Sequence, residues 1–354
     1  MAECSMELKG ITTRSALLGF TALGVGLMSG CGGGGGGGSN NPSPFLGVSS
    51  IGPEVAGNFG DGFSGAVAAN GNQAVFAAYN ENDASAGGTG LRVLTSSNAS
   101  AAGPSFGLFD DDSHRNALRE IWDVAIATDN VYVTTNNYLD DTSVEINQTA
   151  LLRYASNGDR QAVANVAASS NRVRVVTRNS GPVYTVDIDQ ANVGIVFRDR
   201  TTLATVDAVQ LVGGGFDLDS VVDIALAPES TDTVPVFFVL GMKGAQMRVQ
   251  EVTIQSSAIT NVVTRLTVTP PAGHTPAAIA VDSGFYYVLL SSTNSLVNVY
   301  RRLDNAEVDT LTHPALGTGA SLAIAHSGSA RQLLVFGENA DNNSTGSARV
   351  FLFR

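Results

Sequence analysis

The sequence predicts an all-β domain built from one four-stranded unit repeated around an axis. Three observations carry this expectation. Beyond residue 45, short runs of Val, Ile, Leu, Phe, Tyr and Thr alternate with breaks of Asn, Asp, Gly and Ser, and only SHRNALREIW (113–122) has a helical look. The runs recur in a fixed order: a strand of alternating Ala and aliphatic residues, a polar turn, a bulkier strand, a polar loop, then a third and often a fourth strand. The first strand of each unit is unusually poor in large side chains, as strands crowded about a central channel must be.

The elements follow in chain order. Residues 1–14 carry Lys9 and Arg14, and Ser15–Gly30 (SALLGFTALGVGLMSG) is apolar or small throughout. Its 16 residues span about 24 Å as a helix, short of the roughly 20 residues a membrane crossing needs. A basic start, a short apolar run and small residues before a cut point read as an export signal over 1–30. Cys31 then precedes seven glycines, and 31–44 can bury nothing, so it reads as a flexible tether with an r.m.s. span of roughly 20 Å. Cys4 leaves with the signal, so no disulfide is expected. The domain occupies 45–354. PFLGVSSIG (44–52) is a spare strand ahead of the first unit.

The units open at GAVAANGNQAVFAAYN (65–80), DVAIATDNVYVTTNN (123–137), DIALAPESTDTVPVFFVL (223–240), AAIAVDSGFYYVLLSS (277–292) and LAIAHSGSARQLLVFGEN (322–339). Third strands follow at GLRVL (90–94), ALLRY (150–154), MRVQEVTI (247–254), LVNVYRR (296–302) and ARVFLF (348–353). The first-strand alanines align as Ala66, Ala125, Ala225, Ala278 and Ala323, a period near 50 with one gap of about double length. The gap holds a divergent unit whose register is open: either Asn165 or Val175 takes the alanine's place. Repeated four-stranded units of this kind predict a β-propeller. The count gives six blades, with seven as the alternative and a parallel β-helix or paired sandwiches behind both. The last unit lacks a fourth strand, so the spare N-terminal strand is expected to complete it and close the ring.

Met28-Ser29-Gly30-Cys31 resembles the lipobox of bacterial lipoproteins, with Met where the family usually has Leu. The resemblance implies a lipid on the Cys31 sulfur and attachment to the cell envelope. Gly32, in place of Asp, favours the outer membrane. More than one acyl chain gives a stable anchor where a single chain is marginal. The alternative is a cleaved signal that leaves Cys31 free. VYVTTNN (131–137) and PAAIAVDSGFYYVLLSSTNSLVNVYRRLD (276–304) resemble the NHL and YVTN propeller families. That likeness implies a fold and leaves function open, since such folds host many activities.

A formal net charge of −12, with Lys9 and Lys243 the only lysines, argues against nucleic acid as partner. In a propeller, loops before each first strand and between the second and third strands share one face. That face is expected to carry Asp110, Asp111, Asp112, His114, Glu120, Asp140, Asp141, Asp217, Asp219 and His274, with Asp123 and Asp223 at the channel rim. Two rim carboxylates raise the possibility of Ca²⁺, which takes six to eight oxygens and is kept there in six-bladed lactonases; Ser64, Pro276 and Ser321, read as the equivalents in other blades, are poor ligands. The simpler reading has both aspartates accepting amide hydrogen bonds. His114, His274, His313 and His326 show no metal spacing. GPSFG (103–107) matches G-x-S-x-G without the strand and helix that a nucleophile elbow needs. The expected role is therefore a non-catalytic module that binds or scaffolds an envelope protein, peptide or glycan and needs no cofactor. The alternative is a Ca²⁺-dependent hydrolase or lactonase acting at the channel mouth.

Overall fold

The computed structural model describes residues 48–55, 65–70, 73–78, 90–95, 106–107, 121–127, 130–136, 138–139, 144–155, 159–166, 172–188, 193–314, 316–327, 330–339 and 348–353. All of them fall in the unit Asn41–Arg354; the chain's other unit is Met1–Asn40.

Among the described residues the strands form six four-stranded antiparallel sheets and one two-stranded ribbon. Strand β1 (Val48–Val55) stands apart in sequence from its sheet. The first sheet holds β2 (Gly65–Asn70), β3 (Gln73–Ala78), β4 (Gly90–Thr95) and β5 (Phe106–Gly107). The second holds β6 (Ile121–Ala127), β7 (Asn130–Thr135), β10 (Ala150–Ala155) and β11 (Arg160–Asn165), with the ribbon β8 (Tyr138–Leu139) and β9 (Glu145–Ile146) between β7 and β10 in the chain. The third runs β12 (Val173–Thr177), β13 (Val183–Asp187), β14 (Gly194–Arg198), β15 (Thr205–Gln210). The fourth runs β16 (Ser220–Leu226), β17 (Val236–Lys243), β18 (Gln246–Gln255), β19 (Ala258–Val268). The fifth runs β20 (Thr275–Val281), β21 (Phe285–Ser291), β22 (Leu296–Arg301), β23 (Glu307–Thr312). The sixth holds β24 (Leu316–Ser327), β25 (Ala330–Asn339) and β26 (Ala348–Phe353), and its fourth place is taken by β1, paired antiparallel to β26 from Val48 opposite Phe353 to Val55 opposite Ala348. The third strands named from the sequence are β4, β10, β18, β22 and β26.

Alternation explains why these strands pack face to face. Side chains of a strand point to opposite faces in turn, so each middle strand feeds two interfaces. In β17, Phe237 joins Tyr184 and Phe197 between the third and fourth sheets, while Phe238 joins Tyr286 and Val288 between the fourth and fifth. Tyr184 meets Phe197 and Phe237 edge-on, with ring centroids 5.0 and 5.1 Å apart, the geometry aromatic quadrupoles favour. Val124, Val133, Leu152 and Tyr154 fill the space against the first sheet; Ala125, Tyr132 and Leu151 face the third. Leu289 and Val297 meet Leu333 and Phe353 between the fifth and sixth sheets. The innermost strands pack in the order β2, β6, β12, β16, β20, β24, and β24 packs on β2. The hydrophobic core is thus a set of inter-sheet layers around a channel.

The divergent unit is the third sheet. Neither register expected for it holds. Arg160–Asn165 is the outer strand of the second sheet, which removes Asn165 from consideration. Val175 lies one residue from the alanine position, which Val176 takes, and one residue in a strand is the opposite face.

Two turns set backbone strain against burial. Leu203 sits at φ 62° between β14 and β15, yet its side chain is fully buried between the second and third sheets. Ser256 sits at φ 50° in the exposed β18–β19 turn. Left-handed backbone costs a non-glycine residue roughly 1–2 kcal/mol, and losing a buried Leu side chain costs about 2–5 kcal/mol. Leu203→Gly is therefore expected to destabilise by about 2 kcal/mol despite relieving strain. Ser256→Gly is expected to stabilise by about 0.5 kcal/mol after its extra unfolded-state entropy. Urea denaturation of the two variants checks the opposite signs.

Candidate functional site

The inner strands carry a repeated irregularity. The ladder between first and second strands slips by one residue at Ile121/Asp123, Val221/Asp223, Pro276/Ala278 and Gly319/Ser321. Such bulges re-aim the side chain that follows. In the fourth sheet the bulge brings the Ser220 carbonyl so close to Gly241 that a Cβ there would clash with it, which explains glycine within the apolar run Val236–Met242.

The residue after each bulge occupies one rim position. Its side chain in alternate sheets takes a backbone amide of the next sheet. Asp123 Oδ2 accepts from the Val175 N–H (2.9 Å), and Asp223 Oδ2 accepts from the Ile279 N–H (2.8 Å). Ser321 Oγ accepts from the Val67 N–H (3.2 Å). Each donor is the residue following the rim position of its own strand; for Ile279 the bulge before Ala278 gives the same alignment independently. The rim is therefore Ala66, Asp123, Arg174, Asp223, Ala278 and Ser321. The next ring inward is Ala68, Ala125, Val176, Ala225, Ala280 and Ala323.

This corrects the sequence alignment in two sheets. Ala66 and Ala278 match the rim aspartates, and Ala68 and Ala280 match Ala125. Ser64 and Pro276 are not the rim equivalents. Arg174, which the sequence reading missed, is the third charged member of the rim. Its signal was the alternation RVRVV (172–176), which reads more simply as a half-solvated strand.

The inner ring and four of the rim residues, Asp123, Arg174, Asp223 and Ser321, line a cavity of about 360 Å³ bounded by the inner strands of all six sheets, while Ala66 and Ala278 are buried between sheets. At its mouth Arg174 Nε lies 3.1 Å from Asp223 Oδ1, with both side chains almost covered, and Arg174 Nη1 donates to the Trp122 carbonyl (3.2 Å). Desolvation by the enclosing strands lifts the Asp123 carboxyl to about 7; Arg174 resists the shift and Asp223 adds to it. Desolvation also raises Asp223, against Arg174 and the Ile279 amide. Both aspartates thus accept backbone amides of a neighbouring sheet, the simpler of the two roles expected, and Asp223 already has a guanidinium as its cation.

Asp282, which also lines the cavity, shows the contrary outcome. Burial alone pushes it up, but the N–H groups of Gly284 and Phe285, the Tyr287 hydroxyl and Arg331 Nε all donate to it within 2.8 Å. These bonds hold its carboxyl below the usual range. Arg331 belongs to the sixth sheet and Asp282 to the fifth. Arg302 of the fifth sheet similarly clamps Glu229 beside the fourth, and Arg178 of the third reaches Ser230 and Asp232. These ties run from sheet to sheet.

The remaining predicted site residues divide plainly. Asp217 and Asp219 are exposed and share Lys243 (2.7 and 2.9 Å); Asp217 also accepts from Arg248 (2.7 Å) and Asp219 from the Gly244 N–H (2.8 Å). The Lys243 ammonium holds both carboxyls below the usual range. His274 Nε2 lies 3.2 Å from the Asn294 carbonyl, tying the loop before β20 to the β21–β22 loop. Cys31, Asp110, Asp111, Asp112, His114, Glu120, Asp140 and Asp141 lie outside the described residues. Among the described residues no group of three or more His, Cys, Asp or Glu is placed to hold a metal ion, and no helix is long and apolar enough to cross a membrane.

Radiating four-stranded sheets about a channel define an all-β propeller. No family model matches the sequence, and no curated protein matches it. Among solved structures, the chain is similar to the Dos1 propeller at 11% identity and a TM-score of 0.43, over 81% of this chain and 69% of that one.

The raised Asp123 carboxyl fixes a sign for stability against pH. A folded-state value of about 7, above the ordinary 3.8, makes its contribution greatest below pH 4 and lost as pH rises through about 7. The wild-type stability relative to Asp123→Asn, which keeps an acceptor for Val175, is expected to fall by on the order of 2 kcal/mol from pH 5 to pH 8. Chemical denaturation across that range checks it. Arg174→Met leaves two enclosed carboxylates without their cation and is expected to cost about 3 kcal/mol at pH 8, and less at pH 5.

Proposed function

We propose that the chain is an envelope-anchored lipoprotein whose six sheets are the blades of one ring, closed by the pairing of β1 with β26. Its propeller serves as a non-catalytic module that binds or scaffolds a protein, peptide or glycan. The observation that carries the binding role is the cavity of about 360 Å³ walled by all six inner strands. That volume lies within the range of ligand pockets, and its lining joins charged groups, Asp123, Arg174, Asp223 and Asp282, to small and aliphatic side chains. The cyclic packing of the inner strands supports the blade count. The anchor is supported by the Met28–Cys31 lipobox and the glycine tether behind it.

The rim favours binding over catalysis. Each of its three charged groups has a structural partner: two are amide acceptors, and Arg174 pairs with Asp223. No nucleophile and base stand together among the rim residues, which are two alanines, two aspartates, an arginine and a serine.

Two measurements test the reading. Labelled palmitate is expected to enter the wild-type protein and not Cys31→Ser, which should leave the membrane pellet for the soluble fraction. Wild-type protein on beads is expected to retain one saturable component from detergent-solubilised envelopes, and Asp217→Arg/Asp219→Arg to retain at least about tenfold less, since loops on a rigid scaffold are where binding residues collect. Recovery of no protein and no glycan would count against the module itself.

A further inference from the structure

We infer that the channel mouth takes the cationic head of a small ligand, a primary ammonium or guanidinium group, against Asp123, with a short apolar body lying along the alanine wall. This rests on the reading of the propeller as a binding module and specifies the chemistry of its ligand.

Charge is unevenly matched along the rim. Asp123, Arg174 and Asp223 stand at consecutive rim positions, two carboxylates to one guanidinium. Arg174 is committed to the far side: its Nε is on Asp223 and its Nη1 on the Trp122 carbonyl. Asp223 therefore has a partner cation as well as the Ile279 amide. Asp123 has the matching amide, from Val175, and shares the field of an arginine already engaged. Among the described rim residues two carboxylates share one guanidinium, and Arg174 lies against Asp223 rather than Asp123.

A carboxyl in that position is costly. A buried charge is ordinarily paired or removed. Asp282, on the same cavity, shows how this chain stabilises a carboxylate it needs only for structure: two amides, a tyrosine hydroxyl and an arginine. Asp123 lacks that arginine clamp and is lifted toward neutrality. A ligand cation supplies what Asp282 obtains from Arg331.

Shape selects the rest of the ligand. Of the other rim residues only Ser321 lines the cavity, and it is small and uncharged; Ala66 and Ala278 are buried between sheets. The ring beneath is five alanines and Val176, which offers apolar contact and no charge. A cavity of about 360 Å³ holds on the order of ten waters at about 30 Å³ each, the size of a head group with a four- or five-carbon stem. A hard divalent cation fits less well. It requires six to eight oxygens, whereas the rim offers two alanines and a fixed positive charge.

The probes are n-butylammonium, n-butylguanidinium and the neutral isostere 1-butanol, titrated calorimetrically into the full chain in detergent. The two cations are expected to bind saturably at pH 8, and the alcohol at least about tenfold more weakly. Affinity for the cations should fall by about tenfold or more at pH 5.5, where Asp123 is protonated; this needs no variant and survives if one fails to fold. Asp123→Asn should abolish the difference between cation and alcohol, and Asp304→Asn in the exposed β22–β23 turn should leave it intact. Equal binding of butylammonium and butanol, or cation affinity independent of pH, would overturn the inference. If the cations fail while an envelope component is still retained by the wild-type chain, the module stands and only the ligand chemistry is wrong.

Discussion

The structure depends on how its innermost strands treat their free edges. Each inner strand is hydrogen-bonded to a neighbour on one side only. On the other side its amides and carbonyls face the channel and the adjoining sheet, where no strand can pair with them. An unpaired backbone group shielded from water costs about as much as a lost hydrogen bond, and an open strand edge invites wrong pairing. This chain meets the demand with side chains. Asp123, Asp223 and Ser321 accept amides of Val175, Ile279 and Val67, and Thr134 Oγ1 donates to the Val173 carbonyl (2.7 Å). The ties that join one sheet to the next are thus made at the edge where the ladder ends.

That solution shapes the site. An acceptor that reaches across to the next sheet must be short and must point around the ring, and the bulge before the rim position aims it. Alanine at the alternate position lets the sheets converge near the axis. The result is a mouth in which polar groups are fixed by the fold before any ligand arrives, above walls of small apolar side chains. The same constraint makes aspartate expensive there, because convergence excludes water. Serine at the third tie meets the amide without a charge. Two of the three ties use a carboxylate, and the Arg174 guanidinium offsets part of the cost for both.

Much of the fold was legible because propeller strands repeat their local chemistry. The bulky third strands and the alternation of Ala with aliphatic residues survive from unit to unit, so the sheets could be placed without coordinates. The register at the channel was harder. GAVAAN (65–70) and PAAIAV (276–281) offer alanines at both i and i+2, and composition cannot choose between two correct faces of the same strand. The bulges add a residue that sequence periodicity does not announce. The third sheet failed for another reason. Val176 fills the alanine position with a larger side chain, and Arg174 occupies a place that elsewhere is small or acidic. Nothing local distinguishes an arginine turned into a channel from one turned into solvent.

Arg174 also shows why the rim must be treated as one object. Taken singly, Asp123 and Asp223 resemble a pair of metal ligands; with the guanidinium beside them they become a chain of alternating charge ending in an unmatched carboxylate. The cost of that carboxylate is set by its neighbours, since Arg174 lowers it and Asp223 raises it. Arg174 and Asp223 both act on the Asp123 carboxyl, so protonation at one end changes the field at the other. The sixth sheet, with serine in place of aspartate, stands outside this coupling. The rim is therefore lopsided in charge: Asp123, Arg174 and Asp223 lie on consecutive inner strands, and the one other rim side chain on the cavity is the uncharged Ser321.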